Sequence, residues 1–436
     1  MDASRPVRLL CCAVLLAASA AAQSSGQTVR HHRVEEPSSV PPELTQAEDA
    51  IEKKDYSTAE PLLQKVVATD PANFQAWFDL GFVENGLGKA QESIAAYRKS
   101  VAAKPDVFES NLNLGLMLAK AGQPEAQQYL RAATTLKPTA KVDEGHARAW
   151  LSLAHVLESS NPDQAIAAYQ QAAALEPQDV EPHLSAGQLF ESQNRFADAE
   201  QEYKQALAID PRSADALTGL ANLYTRGQRL ADAEDSLRKL VALRPNDAAA
   251  RLQLGRVLAA AGHNDDALQE VQTASKLSPA DGSVGRELAD LYMTAKKYDL
   301  AETQYRALLA ANPTDALLHH SIGVALLRQN KYADAEQEFL TAVRLKPDFG
   351  AAYGDLAVAA DGNKNYELAI KATDARARFL PEIPVSYFLR ATAYDHLRDY
   401  KSAAANYHKF LEVAGGQYPD QEWQARHRLI AIEPKK

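Results

Sequence analysis

A period of 34 residues runs through almost the whole chain, and it limits the fold more than any other feature. Residues 180–213, VEPHLSAGQLFESQNRFADAEQEYKQALAIDPRS, are one copy. Small Gly187 is followed by Phe190, a polar turn at Gln193-Asn194-Arg195, then Phe196, small Ala199, bulky Tyr203, Ala206 and a closing Pro211. One period later the same residue types return as Ala221, Tyr224, Leu230, Ala233, Leu237, Leu240 and Pro245. A fixed repeat of this length means stacked helical hairpins, each too small to bury its apolar face alone.

Each column of the repeat has a physical reason. Closing prolines recur from Pro71 through Pro105, Pro138, Pro177, Pro211, Pro245, Pro279, Pro313 and Pro347 to Pro381. Proline cannot continue a helix interior, so each one ends a hairpin and turns the chain. Two residues later Asn73, Asp179, Ser213, Asp247, Asp281 and Asp315 are placed to cap the next helix. A column in the middle of the first helix, from Ala47 and Gly81 to Ala357 and Ala391, holds only Gly or Ala. Its partner in the second helix, from Ala59 and Ser93 to Ala369 and Ala403, holds only Ala or Ser. Small residues at both places let paired helices approach closely. Four residues on, a mostly bulky column (Tyr97, Tyr169, Tyr203, Tyr305, Phe339, Tyr407) shares the same helix face.

At these residues the chain resembles the tetratricopeptide repeat (TPR) family, a 34-residue helix–turn–helix with a W…L-G…Y…A-x3-F…P pattern. The second repeat carries Trp77, Leu80, Gly81, Tyr97 and Pro105 in register. Eleven units cover about residues 40–417. The third and fourth are each one residue short in the turn, and an insert, Lys141–His146, separates them. The resemblance implies an all-α fold, a right-handed superhelical α-solenoid with a concave groove. Residues 418–436 read as a capping helix and tail, with Trp423, Leu429 and Ile430 expected to cover the last repeat while Arg426 and Arg428 face water.

The start of the chain reads differently. Residues 1–22 have the pattern of a secretory signal peptide: Arg5 and Arg8, an apolar run over Leu9–Ala18 too short to span a bilayer, then Ala20-Ala21-Ala22 before a cut ahead of Gln23. Cys11 and Cys12 lie inside it, so the processed chain has no cysteine for a disulfide, a nucleophile or a metal site. Residues 23–39 read as a flexible linker, in which His31-His32 is a solvated pair rather than a metal site. Export without cysteine fits the bacterial periplasm or cell surface.

Net charge is –10, and –11 once residues 1–22 with Asp2, Arg5 and Arg8 are removed. That balance, without any basic and aromatic stretch, argues against nucleic acid. No further long apolar segment follows the signal, so no transmembrane segment is expected after processing. There is no Gly-rich phosphate loop, H-E-x-x-H, G-x-S-x-G or EF-hand loop. Carboxylates such as Glu234-Asp235 and Asp265-Asp266 read as solvated faces, and adjacent His319-His320 diverge on their helix. The chain is expected to be no enzyme and to need no cofactor or metal.

The resemblance and the export signal together imply a non-catalytic interaction scaffold of the bacterial cell envelope. Partner peptides or helices would lie in the groove, in assembly, secretion or polymer export. The alternative is a periplasmic protein that binds carbohydrate or a small ligand on groove aromatics. It needs aromatic pairs in a closed pocket, and the first helices show few. Two sets of first-helix residues are the candidate sites. Phe78, Phe82, Leu112 and Leu116 are expected to form an apolar patch in the N-terminal groove. Arg226, Arg256 and Arg286 recur at intervals of thirty, one helical turn earlier each time. With Asn222 beside them and His320 extending the line, they are expected to draw a basic diagonal for a partner's carboxylate or acidic segment. The competing expectation is that local acids, Asp290 among them, pair with these arginines.

Overall fold

A computed structural model describes residues 41–433. The expected signal peptide and linker lie outside the described residues. The chain divides into two compact units, one ending at Gly227 and one beginning at Gln228.

In the first unit the helices are α1 (Pro42–Glu52), α2 (Tyr56–Thr69), α3 (Phe74–Gly86), α4 (Ala90–Ala103), α5 (Phe108–Lys120) and α6 (Ala126–Thr135), followed by α7 (Val142–Leu157), α8 (Pro162–Leu175), α9 (Glu181–Ser192), α10 (Phe196–Ile209) and α11 (Ala214–Arg226). In the second they are α12 (Leu230–Leu243), α13 (Ala248–Ala260), α14 (Asn264–Leu277), α15 (Gly282–Thr294), α16 (Tyr298–Ala311) and α17 (Ala316–Arg328). Then come α18 (Tyr332–Leu345), α19 (Gly350–Gly362), α20 (Tyr366–Ala377), α21 (Pro384–His396), α22 (Tyr400–Ala414) and α23 (Pro419–Ile432). Odd-numbered helices up to α21 take the first-helix place of a repeat and even-numbered ones the second. There is no strand among the described residues, and within each unit successive hairpins pack on their neighbours. The fold is the all-α array of repeat hairpins that the period requires.

The caps form largely where the sequence places them. Side chains of Asn73, Ser213, Asp247, Asp281 and Asp315 accept backbone N–H groups at the starts of α3, α11, α13, α15 and α17. Asp179 sits one position too early; Val180 is the N-cap of α9, and the Asp179 carboxylate accepts from the Glu181 N–H at 3.0 Å. The closing prolines have a second role. The carbonyl of the closing proline accepts a bond from a side chain six residues on: Trp77 onto Pro71 at 3.0 Å, Asn111 onto Pro105 at 2.8 Å and Arg251 onto Pro245 at 2.8 Å. These bonds satisfy carbonyls that lie beyond the reach of the helix ladder. The insert makes no loop. It forms the first turn of α7, which runs to 16 residues and is entered through Lys141 at φ 46°.

The small columns do what close packing demands. Tyr203 is buried with Gly187 of its own hairpin on one side and Gly219 of the next on the other. A Cβ at Gly187 would come within 2.7 Å of the ring, and one at Gly219 within 2.4 Å. Gly323 stands in the same relation to Phe339, at 2.6 Å.

At the C-terminal end α23 packs Ala425 and Leu429 onto Tyr407, Phe410 and Ala414. The expectation for its other apolar residues is corrected: Trp423 is 61% and Ile430 72% exposed. They lie on the face of α23 opposite Ala425 and Leu429, and Trp423 packs on His427 of the same helix, ring centroids 4.0 Å apart. Arg428 does not simply face water. Its guanidinium grips both oxygens of Asp395 on α21, Nη2 to Oδ1 at 2.7 Å.

Overpacking at a glycine position makes a direct check. Gly187→Ala is expected to destabilise by about 1–3 kcal/mol, read as a lower denaturation midpoint by circular dichroism. Trimming the ring with Tyr203→Leu in the same chain should return part of that loss relative to Tyr203→Leu alone; equal additive losses would show that ring contact is not the cause.

Candidate partner-binding site

The expected apolar patch is not an open surface. Phe78 is fully buried and packs edge-on against Tyr97 of α4, centroids 5.6 Å apart, among Ile94, Leu114 and Met117. Leu112 and Leu116 are buried as well, as are nearly all residues of α5. Phe82 is half-buried and meets Tyr56 of the preceding hairpin, centroids 6.1 Å apart. Apolar side chains of this size gain most by leaving water, and here they are inside the packing rather than on a free face.

The charged set stays at the surface, and acids meet it there. Arg226, in the first unit, lies over the Phe196 ring at 4.4 Å with Glu191 at 3.8 Å; Asn222, one turn earlier on α11, is half-buried. In the second unit Arg256 Nε donates to Glu287 at 2.7 Å, and Arg286 Nη2 lies 3.5 Å from Asp315. His320 Nε2 meets Asp355 at 2.7 Å, its ring packed between Phe339 and Phe349. In each pair the acid belongs to a neighbouring hairpin. Asp290 is not the ion-pair partner of Arg286; it accepts the hydroxyl of Tyr305. Burial raises the Asp290 carboxyl, and burial with the facing carboxylate raises the Tyr305 phenol.

Of the expected row, Arg256 and Arg286 are brought together. They line one open cleft of about 400 Å3 with Glu287, Asp290 and Asp315, over Leu308 and Leu318. Their side chains remain 50% and 42% exposed despite their acids. The cleft can therefore offer two guanidinium groups, each with donors left over, beside carboxylates and an apolar floor.

The repeat itself identifies the chain. Models of the tetratricopeptide repeat match residues 155–214, 184–248 and 320–384, and again 228–285 and 258–322, an unbroken run from 155 to 384. The chain belongs to the tetratricopeptide repeat family. A model of the Cilia and flagella-associated protein 70 middle TPR-like domain also matches residues 44–176. Tetratricopeptide repeat protein 37 of Xenopus laevis is 31% identical over 87 residues, which is 20% of this chain and 6% of that protein. The chain thus spans a small part of that relative's length. Similar solved structures include YrrB, described as a TPR protein with an unusual peptide-binding site, at 23% identity and TM-score 0.40, over 42% of this chain and 95% of that one. MamA from Desulfovibrio magneticus RS-1 aligns at 20% identity and TM-score 0.37, over 38% and 94%. A chain of the APC/C hetero-tetramer Cut9-Hcn1 aligns at 16% and 0.39, over 87% and 95%. TPR arrays are protein-interaction scaffolds, and none of the matched families is an enzyme family.

Several working residues of the TPR hairpins escape a reading of single columns. The acid that follows the small residue of a second helix reaches the N-cap of the next second helix, 29 residues on. Glu60 takes Lys89 at 2.7 Å, Glu234 takes His263 at 3.3 Å, Glu302 takes Lys331 at 3.3 Å and Glu336 takes Asn365 at 3.0 Å. These acids are clamps between hairpins rather than a solvated face, Glu234 included. A search for acid and donor at that spacing would have found them. A second set alternates at twice the repeat: His183 with Glu202 at 2.6 Å, Arg251 with Glu270 at 2.6 Å and His319 with Glu338 at 2.7 Å, each within one hairpin.

Glu84 is a buried acid with no such partner for one oxygen. It ends α3, its Oε2 has no hydrogen bond, and burial with nearby Glu60 and Glu92 pushes its carboxyl up to about 7 against the pull of Lys89. A folded pKa above the unfolded one means the fold binds the proton more tightly. Stability from this group is therefore fully present below the ordinary value of 4.5 and is lost as pH rises to about 7. Glu84→Gln should raise the thermal midpoint relative to the parent at pH 8 and leave little difference near pH 5; parallel profiles would exclude the mechanism.

Proposed function

We propose that the chain is an exported protein-interaction scaffold of the bacterial cell envelope whose first-helix face receives an acidic segment of a partner protein. The observation that carries the site is the cleft in the second unit, where Arg256 and Arg286 from successive first helices face one opening. Each guanidinium is largely exposed and is held by a half-buried acid of a neighbouring hairpin. Exposed pairs of this kind contribute only about 0–1 kcal/mol, so an incoming carboxylate can take their place at little expense. Arginine suits the exchange because its planar fork holds a carboxylate through two hydrogen bonds. The export reading rests on residues 1–22, and the envelope role follows from export together with membership of a scaffold family.

A charge swap tests the site. Arg256→Glu with Arg286→Glu should leave helicity unchanged and sharply reduce the partner captured from envelope extract by the processed chain. Capture by the parent should weaken as salt rises. Equal capture with an equal salt response would make the arginines surface charge alone. Export has its own measurement: mass spectrometry of the protein from its native host should give an N-terminus at Gln23, and an intact Met1 would reject processing.

A further inference from the structure

The edge where α18, α19 and α20 end and begin departs from the repeat. The residue before the closing proline is polar in every other hairpin, from Asp70 and Lys104 to Asn312 and Lys346; before Pro381 it is Leu380. Two residues after the proline, where Asp247, Asp281 and Asp315 cap helices, the chain has Phe349 and then Ile383. Polar residues at these places satisfy helix ends, so exchanging them for apolar ones forfeits caps. Val107 and Ala140 stand at the same place after Pro105 and Pro138, but only around Pro381 are both columns apolar.

The structure shows what these exchanges build. α20 stops at Ala377, and Arg376 Nη1 ties the following turn by donating to the Pro381 carbonyl at 2.8 Å. That turn sets Phe379 parallel to Tyr353 of α19, centroids 6.0 Å apart and planes 12° apart, with Phe379 still 45% exposed. Leu380 lies over Gly350, where a Cβ would come within 2.8 Å of it. Beside Tyr353, exposed Leu340 with Val343, Thr341 and Arg344 lines an open cleft of about 420 Å3. Aromatic and aliphatic surface gathered around an open cleft is the kind of patch that partners cover.

The charges around it have one sign in excess. Arg344 and Arg378 are exposed, and neither forms an ion pair among the described residues. Lys346 rests on the Phe349 ring. Of the nearby acids, Asp374 and Glu382 are both taken by Arg390, which leaves Asp348 in the turn before α19. Arg212, Arg328 and Arg398 are likewise exposed without an ion pair among the described residues, but Arg344 is the one that lines an apolar cleft.

We propose that this edge is a second docking surface, separate from the first-helix cleft, and that it takes an acidic segment of a partner protein carrying one aromatic or leucine side chain into the space beside Tyr353 and Phe379. Charge complementarity sets the acidic character, because Arg344 and Arg378 would otherwise stay unpaired. The cleft sets the apolar anchor. An anionic bilayer is disfavoured because the surface is indented and the chain as a whole is acidic.

The experiment uses the full processed chain and a panel of short fluorescent peptides, each with one Phe, Trp or Leu centred among Asp and Glu. Fluorescence anisotropy should show saturable binding that weakens with salt and is absent for counterparts with Lys in place of the acids. Phe379→Ser and Arg344→Glu should each weaken binding by at least about tenfold with an unchanged circular dichroism spectrum and melting midpoint. Absence of peptide binding by the parent, or equal binding by both variants, would overturn the proposal. So would loss of binding in Arg256→Glu with Arg286→Glu but not in Phe379→Ser, which would place the peptide in the other cleft. Vesicles of phosphatidylglycerol form the last arm: binding to them that depends on Phe379, without peptide binding, would replace the protein partner with a membrane.

Discussion

The close approach of two helices within each hairpin is the constraint on which the rest depends. A ring such as Tyr203 lies between glycines of two successive hairpins, and a single added methyl on either side would enter it. Because interiors are packed to crystal-like density, such contacts tolerate neither growth nor a shift of register. The small columns therefore position every first helix relative to its second, and through the rings relative to the next hairpin. The surface that a partner meets is the outer consequence of that spacing.

Electrostatics works on the same lattice. Acids next to the small column reach the N-caps of second helices in the following hairpin, and Arg256, Arg286 and His320 of the first helices meet acids one hairpin away. Most of these pairs are partly exposed and individually weak. Their repetition within a unit favours one stacking register, in the way nearest-neighbour terms hold any repeat array. It also means that a cation left without an acid stands out. Arg344 and Arg378 are of that kind, near the turn where the repeat gives up its polar residues for Leu380 and Ile383.

These two surfaces differ in chemistry. The cleft at Arg256 and Arg286 mixes both signs over an apolar floor, so a ligand there competes with carboxylates already present. At the edge near Tyr353 no such competition meets Arg344 and Arg378, and the apolar contact is larger relative to the charge. A scaffold with two such faces can hold two segments of one partner or two partners at once, with the gain in effective concentration that linked binding brings.

The sequence by itself determined the number of hairpins, their helical ends and the residues at the close contacts, because each of those depends on what a residue type can do locally. Proline stops a helix, Asp247 or Ser213 caps one, and a column of Gly and Ala permits contact whatever the neighbours are. Its reading failed where a side chain has two faces to choose from. Phe78 and Leu112 stand one residue from a core column, and only packing decided that they turn inward. Trp423 and Ile430 look like the apolar stripe of a capping helix, yet the buried face of α23 runs through Ala425 and Leu429. Arg256 and Arg286 were legible as a pair on successive helices. Their acids were not, since Glu287 and Asp315 come from the next hairpin and only the stacking distance brings them within reach. The Phe379 edge was present in the letters as a break in two columns. Only the tertiary structure laid Phe379 on Tyr353 and opened the cleft beside it, because that contact joins helices whose spacing depends on the whole stack.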